Sequence, residues 1–447
     1  MKKALALAIA GMMAASLAAC GSSASSTADT AASAAASTAA STAASSAAES
    51  TAAPAADAAG ADFSNIKVGF IFLHDENSTY DLNFINAANA AAAALGLSSD
   101  QVVLKTNVPE GQECYDTAAE LADSGCNIIF ADSFGHEDFM IQAAEEFPDV
   151  QFCHSTGTKA HTQGLDNYHN AFASIYEGRY LAGVAAGMKL NEMIDSGEIT
   201  AEEAKIGYVG AYTYAEVISG YTSFFLGARS QCESATMEVT FTGSWYDETA
   251  EKEAANKLID DNCVLISQHA DSMGAPTACE SAGVPNVSYN GSTQSVGPNT
   301  YIISSSIDWA PYFQYAITCA ANGEAIDADW TGTLDTASVL TQEINTNAAA
   351  AGTAEKLEEV KAELEAGTLH VFDTSAFTVT VTDSSNVNAT VDENGVLTGY
   401  MADVDTDPAY EGDTEAVADG YFHESEYRSA PYFDLQIDGI SLMDTAF

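Results

Sequence analysis

Short, unbroken apolar segments alternate with helical patterns along most of this chain, and that alternation limits its folds more than any other feature. Lys67-Val-Gly-Phe-Ile-Phe-Leu73 is continuous and apolar, Asp81 to Leu95 is an alanine-rich helix, and Gln101 to Lys105 is again a strand. Helix Cys114–Asp123 then leads to strand Cys126–Ala131, and helix Glu137–Phe147 to strand Val150–His154. Strands that are apolar throughout are buried on both faces, which is the mark of a parallel sheet covered by crossover helices. After a long helix, Ile175–Met193, the pattern restarts. Strands Lys205–Gly210, Met237–Thr242, Val264–Gln268 and Asn286–Tyr289 alternate with helices Glu216–Cys232, Glu248–Asp261 and Gly274–Ala282. Two α/β halves are implied. Tyr301–Ile307 reads as a further strand, and Trp309–Ala321 as a helix that returns the chain to the first half.

The ends differ from this core. Lys2 and Lys3, the apolar stretch Ala4–Ala15 and the small pair Ala18-Ala19 form a secretory signal over residues 1–20, too short in its apolar part to span a bilayer of about 30 Å. Leu17-Ala-Ala-Cys20-Gly21 looks like the lipobox of bacterial lipoproteins, which implies a lipid on Cys20 and a membrane anchor on the extracytoplasmic side. Residues 21–61 are almost entirely Ala, Ser and Thr and read as a flexible tether. The folded part, from Asp62 on, exceeds the size of about 250–300 residues at which one core divides. The expected division is an N-terminal lobe from 62–170 and about 301–340, and a C-terminal lobe from 171–300 and about 341–447. Beyond Thr341 the α/β pattern fades, leaving a charged helix Thr353–Ala366, a strand Phe377–Thr382, and hairpins and loops packed on one lobe. Gly183 and Gly187 have the spacing of a membrane dimer motif, but the flanking Glu177, Arg179 and Lys189 favour close packing of that helix against a sheet.

Composition excludes some partners. With 14 Lys plus Arg against 64 Asp plus Glu, the formal charge is −50, which argues against nucleic acid. Seven cysteines follow Cys20, none in a metal-binding spacing, and no disulfide is expected.

In doubly wound sheets, ligands bind at the carboxyl ends of strands. Those ends carry His74 to Phe84, Asp132-Ser-Phe134 and Thr156 to Lys159 in the first half. In the second they carry Tyr212-Thr-Tyr214, Trp245-Tyr-Asp247, His269-Ala-Asp271-Ser272 and Asn290-Gly-Ser292. Rings offer stacking area and carboxylates accept from amino groups and diols, so such a cleft suits a flat, neutral, hydrogen-donating ligand. Individually Asp81, Asp247 and Ser272 also read as helix N-caps; the recurrence of ring plus carboxylate is what favours a site.

The segments Lys67-Val-Gly-Phe, Tyr80-Asp-Leu-Asn-Phe84, Asn167 to Gly183, Gly207-Tyr-Val-Gly210 and Gln268-His-Ala-Asp-Ser272, in this order, are similar to the basic membrane protein (BMP) family. The resemblance covers about Lys67 to Asn322. It implies a type I periplasmic-binding-protein fold, two Rossmann-like lobes joined by a hinge, with the C-terminal segment as an addition. It further implies a monomeric, non-enzymatic lipoprotein receptor without cofactor or metal, serving ABC permease and ATPase subunits and binding a purine nucleoside or related small molecule. On that resemblance Phe84 and Trp245 are the stacking rings, Asp75, Asn83 and Asp132 read the base edge, and Asp271 accepts from ribose hydroxyls or a base amino group.

Two alternatives come from the residues themselves. His154, His161 and His169 with Cys153 suggest a zinc site or zinc enzyme, though GxSxG, HExxH, P-loop and GxGxxG signatures are all missing. Asp403-Val-Asp405-Thr-Asp407 has the start of a calcium loop, but Pro408 stands where glycine is needed. A sensor or adhesin on the same receptor fold is the third class.

Overall fold

The computed structural model describes residues 60–404 and 413–443. The signal segment, Cys20, the tether through residue 59, and Asp405 and Asp407 of the acidic loop lie outside the described residues.

Two parallel sheets dominate. The first runs in the order Asp329–Gly332, Tyr168–Ala173, Gln151–Ser155, Ile128–Ala131, Val68–Ile71, Val102–Lys105. The second runs Val339–Thr341, Tyr301–Ile307, Asn286–Tyr289, Leu265–His269, Lys205–Gly210, Thr236–Phe241, Ile440–Leu442, parallel except at Val339–Thr341. Both have helices packed around inner strands that bury nearly every residue, as the unbroken apolar runs require, while the edge strands are only partly covered. This is the two-lobed type I periplasmic-binding-protein architecture.

Four strands of these sheets escaped the sequence pattern, the edge strands Asp329–Gly332, Val339–Thr341 and Ile440–Leu442 and the inner strand Tyr168–Ala173. Tyr168–Ala173 is fully buried although it carries His169 and Asn170, because each polar side chain has a partner. His169 Nε2 meets Gln151 at 2.8 Å, and Asn170 Nδ2 donates to Tyr168 Oη at 3.0 Å. Tyr301–Ile307, expected to open the first lobe's second segment, belongs to the second sheet. The return to the first lobe therefore falls at Asp308, after which helix Ala310–Asn322 sets Phe313 against Phe70 and Phe130 at 5.1 and 4.8 Å.

The chain passes between lobes after Ala173, after Ile307 and between Gly332 and Val339. These crossings lie side by side, tied by Ser174 N donating to Gly332 O and Asp308 N to Ser338 O, each at 2.8 Å. Trp309, 1% exposed, fills the space beneath them, stacked on Phe84 at 4.5 Å and edge-on to Phe172 at 6.1 Å.

Helix Ile175–Ser196 packs on the second sheet and also on helix Ala215–Gln231, so the glycine seam serves a helix pair as well as a sheet. A Cβ on Gly183 would stand 2.0 Å from Phe224 O, and one on Gly187 2.2 Å from Ala228 O. Only hydrogen at those positions allows the two backbones to approach this closely.

Helix Thr353–Glu365 packs on Ile175–Ser196. The tail beyond it forms antiparallel pairs, Ala389–Val391 with Leu397–Ala402 and Val417–Ala418 with Tyr421–Phe422. The expected strand Phe377–Thr382 makes only an isolated bridge, Val379 to Ile437. Nor does the tail keep to one lobe. Ile440–Leu442 joins the second sheet beside Thr236–Phe241, while Ser429 N donates to Asp329 Oδ2 of the first lobe at 3.0 Å.

Phe84 thus supports the hinge. Truncating it by Phe84→Ala should cost about 3–5 kcal/mol, the usual loss for a buried ring. The expected result in denaturant unfolding is a lower midpoint; an unchanged midpoint would contradict this placement.

Candidate functional site

The two sheets present their carboxyl ends to one crevice. From the first lobe come Leu73 and His74 after the first strand, Tyr80 and Asp81 in the first turn of helix Thr79–Ala94, and Ser133, Phe134 and Thr156 after the next strands. From the second come Glu216 at the start of helix Ala215–Gln231, Trp245, His269, Asp271, Tyr289 and Asn290. The slit between them has a volume of about 20 Å³, room for roughly one water. Seating a ring there requires the lobes to part, which the adjacent crossings allow.

Direct contacts close the crevice. Thr79 donates through both N and Oγ1 to Asp271 O at 3.0 Å, docking the helix N-terminus of one lobe on a loop of the other. Phe134 stacks on Tyr214 with centroids 5.0 Å apart, and His74 lies 5.5 Å from Tyr246. Trp245 meets Tyr212 edge-on at 5.0 Å, so the rings of the second lobe form one cluster. Two lining residues have positive φ, Thr156 at 85° and Asn290 at 63°. For Asn that region is accessible; for a β-branched residue it is strained, and such strain collects at binding loops.

The electrostatics are dominated by carboxylates. Asp81 accepts from His74 N at 2.7 Å, and its other oxygen is 3.3 Å from His74 Nδ1. Asp132, 1% exposed, lies behind the slit and accepts from Leu73 N at 3.2 Å, while its Oδ2 is buried without a partner. Burial, reinforced by the Asp81 charge, raises the Asp132 carboxyl well above the usual range. Asp271 accepts from Asn290 Nδ2 at 3.2 Å, and burial, with Glu251 and Asp81 adding repulsion, raises it likewise. Burial lowers His269, whose Nε2 stands 3.4 Å from Glu216. Beneath Tyr289, the buried Arg179 guanidinium lies 5.1 Å from that ring and donates to Ser288 O, Ser267 Oγ and Tyr208 Oη. A cation fixed behind an acidic crevice tempers its negative potential.

Of the residues named from sequence, Trp245 and Asp271 line the slit and Asp132 sits behind it. The other three do not come to it. Phe84 is in the hinge packing, and Asn83 Nδ2 donates to Ile307 O at a crossing. Asp75 holds its own loop, accepting from Asn77 N at 3.1 Å and Asn77 Nδ2 at 2.7 Å. Tyr80, one helical turn before Phe84, brings a first-lobe ring to the slit beside Phe134, with its hydroxyl donating to Asp132 O at 2.6 Å. Only the first turn of a helix that points at a crevice reaches it, a signal present in the cap sequence Ser78-Thr-Tyr-Asp81. Glu216 and His74 were missed as individual residues; the available signals were a helix start for Glu216 and a strand end for His74.

Capping explains one of the open assignments: Asp247 accepts from Thr249 N and Ala250 N while Glu251 accepts from Asp247 N. Ser272 is not the cap of helix Gly274–Ala282, whose N-cap is Met273, although its Oγ accepts from Gly274 N. Asp81 is instead the third residue of its helix, capped by Ser78. The histidines suggested for zinc are separately engaged: His154 Nε2 contacts Ser133 O and His169 contacts Gln151. Among the described residues no group of three His, Cys, Asp or Glu could hold a metal ion. All seven described cysteines are free and buried, with burial pushing Cys153, Cys263 and Cys279 up to about 12.

Two parallel-sheet lobes facing each other across a crevice define a protein of the type I periplasmic-binding-protein class. Residues 98–366 match the family model described as ABC transporter substrate-binding protein PnrA-like, and the chain belongs to that family. A putative ABC transporter glucose-binding protein of Haloferax volcanii is 35% identical over 214 residues, 48% of this chain and 51% of that protein. A purine-binding protein of Brucella abortus is 32% identical over 251 residues, 56% of this chain and 67% of that one. The chain thus spans about half the length of the first of these relatives and two thirds of the second. A solute-binding protein of an ABC transporter system from Aeropyrum pernix superposes with TM-score 0.58 at 16% identity, over 71% of this chain and 94% of that one. Among the described residues no helix is long and apolar enough to cross a membrane.

A carboxyl raised in the folded state takes up a proton on folding, so its cost to stability grows as pH rises above its unfolded value of 3.8. Asp271→Asn should therefore raise the melting temperature of the unliganded protein near neutral pH, and raise it less in mild acid. Equal gains at both pH values in a thermal melt would contradict the upward shift of this carboxyl.

Proposed function

We propose that the protein is a lipid-anchored extracytoplasmic receptor that closes on a purine nucleoside or related small molecule and delivers it unchanged to ABC permease and ATPase subunits. One observation carries the ligand class: Tyr80, Phe134, Trp245 and Tyr289 surround the slit beside Glu216 and Asp271, and among the described residues its lining contains no Lys or Arg. Rings suit a planar group, acceptors suit its amino and hydroxyl donors, and the lack of a cation disfavours phosphates. The purine-binding relative in Brucella abortus supports this choice. The glucose-binding relative in Haloferax volcanii favours a second reading, a sugar held by the same rings and carboxylates. A sensor without a transporter is a further alternative, since a solved transcriptional activator from Bacillus halodurans has the same fold, with TM-score 0.55 and 18% identity.

Thermal-shift titration with adenosine, guanosine, inosine and glucose separates the ligand readings. A purine nucleoside at about a hundred times its Kd should add about 2.7 kcal/mol of stability, and Trp245→Ala should remove that gain. A shift with glucose alone would replace the nucleoside by the sugar. For the anchor, the support is the Leu17 to Gly21 sequence. Cys20→Ser should move the exported protein from the membrane fraction to the soluble one; retention in membranes would contradict lipid attachment.

A further inference from the structure

The family match ends at residue 366, and the tail continues beyond that point. It is nevertheless built into the ligand crevice. Between Glu424 and Asp434 it is held rigidly: Glu424, 2% exposed, accepts from Tyr432 N and Phe433 N at 3.2 and 2.9 Å. Arg428, 6% exposed, donates from Nε to Ala430 O at 3.2 Å and from Nη2 to Pro431 O at 2.9 Å. Its other terminal nitrogen donates to Asp403 O and Val404 O, both at 3.3 Å. The guanidinium is thus committed to backbone carbonyls that shape the loop.

This loop walls a chamber of about 240 Å³. Ala430, Tyr432 and Asp434 line it from the tail, and Phe134, Thr156 and Glu216 line it from the two lobes. The last three also line the slit, so the two spaces share a wall and the chamber is the roomier of the pair, about 240 against about 20 Å³. We infer that the tail completes the ligand site: the chamber takes a polar, uncharged extension bearing hydroxyl or amino groups, attached to the planar part that sits between Tyr80 and Trp245. The inference rests on the proposed receptor function and deepens it. Asp434 and Glu216 supply acceptors, and among the described residues the one guanidinium at the chamber is occupied by Ala430, Pro431, Asp403 and Val404 carbonyls. A sugar-like extension fits this lining, whereas a phosphate meets carboxylates. The tail therefore sets selectivity for nucleoside over free base, a task that the lobes alone leave to the slit.

The test is calorimetric titration of the full folded chain with adenosine and adenine, and with inosine and hypoxanthine. The wild type should bind each nucleoside at least about tenfold more tightly than its base, a difference of about 1.4 kcal/mol. Ala430→Trp, which fills the chamber from the tail, should abolish that preference by weakening the nucleoside while base affinity stays within about twofold. Asp434→Asn, which keeps the volume, should reduce the preference in the same direction and serves if the larger side chain prevents folding. Equal binding of nucleoside and base by the wild type, or a preference untouched in a folded variant, would overturn the role of the tail while leaving the receptor reading intact. Failure of the wild type to bind any of the four would overturn that reading and this inference with it.

Discussion

Burial of carboxyl groups at the mouths of both sheets is the constraint on which the rest of this structure depends. Asp132 and Asp271 are 1% and 5% exposed, and each is raised well above the ordinary carboxyl range by desolvation. Such groups are costly in a low-dielectric crevice unless a donor reaches them. Asn290 supplies one donor to Asp271, but Oδ2 of Asp132 has none among the described residues. A buried carboxyl oxygen is thus left without a partner at the crevice, and on the proposed function a ligand carrying N–H or O–H groups on a flat frame would use it. Arg179, buried beneath Tyr289, places a fixed cation behind the second lobe's rings.

The acceptors meet only because the lobes do, and the crossings govern how the lobes meet. Adjacent passages of the chain, bonded to one another at Ser174–Gly332 and Asp308–Ser338, turn two independent sheets into jaws with one axis. Phe84 and Trp309 fill the space below, and Thr79 closes the opposite side by donating to Asp271 O. The tail ties into both jaws, at Asp329 in one and beside Thr236–Phe241 in the other. The same helix N-terminus that docks across the gap carries Tyr80 and Asp81 to the slit.

Much of this was legible in the residues because parallel strands are apolar from end to end. Lys205–Gly210, Gly274–Ala282 and Asn286–Tyr289 fall where the pattern places them. Tyr168–Ala173 was hidden by His169 and Asn170, whose burial is permitted by partners distant in sequence. For the site, strand ends named Asp132, Trp245 and Asp271, positions that topology alone brings to the crevice. Asn83 and Phe84 lie at the hinge instead, because one helical turn separates a residue aimed at the crevice from one aimed at the core, and a motif matched without its phase does not distinguish them. The tail was illegible for another reason. Its strands are two to six residues long, and its contacts with the lobes reach across a hundred residues, as from Ser429 to Asp329.

Of the three tryptophans, Trp309 and Trp330 are 1% and 3% exposed, and only Trp245 stands partly open at the crevice. Acrylamide quenching of tryptophan emission therefore reports on the ring that faces the ligand. If a planar guest lies against Trp245, saturating the protein with the purine nucleoside it binds should abolish the quenchable fraction. Nucleoside retained in equilibrium dialysis while that fraction stays unchanged would contradict the central claim that the crevice rings hold the ligand.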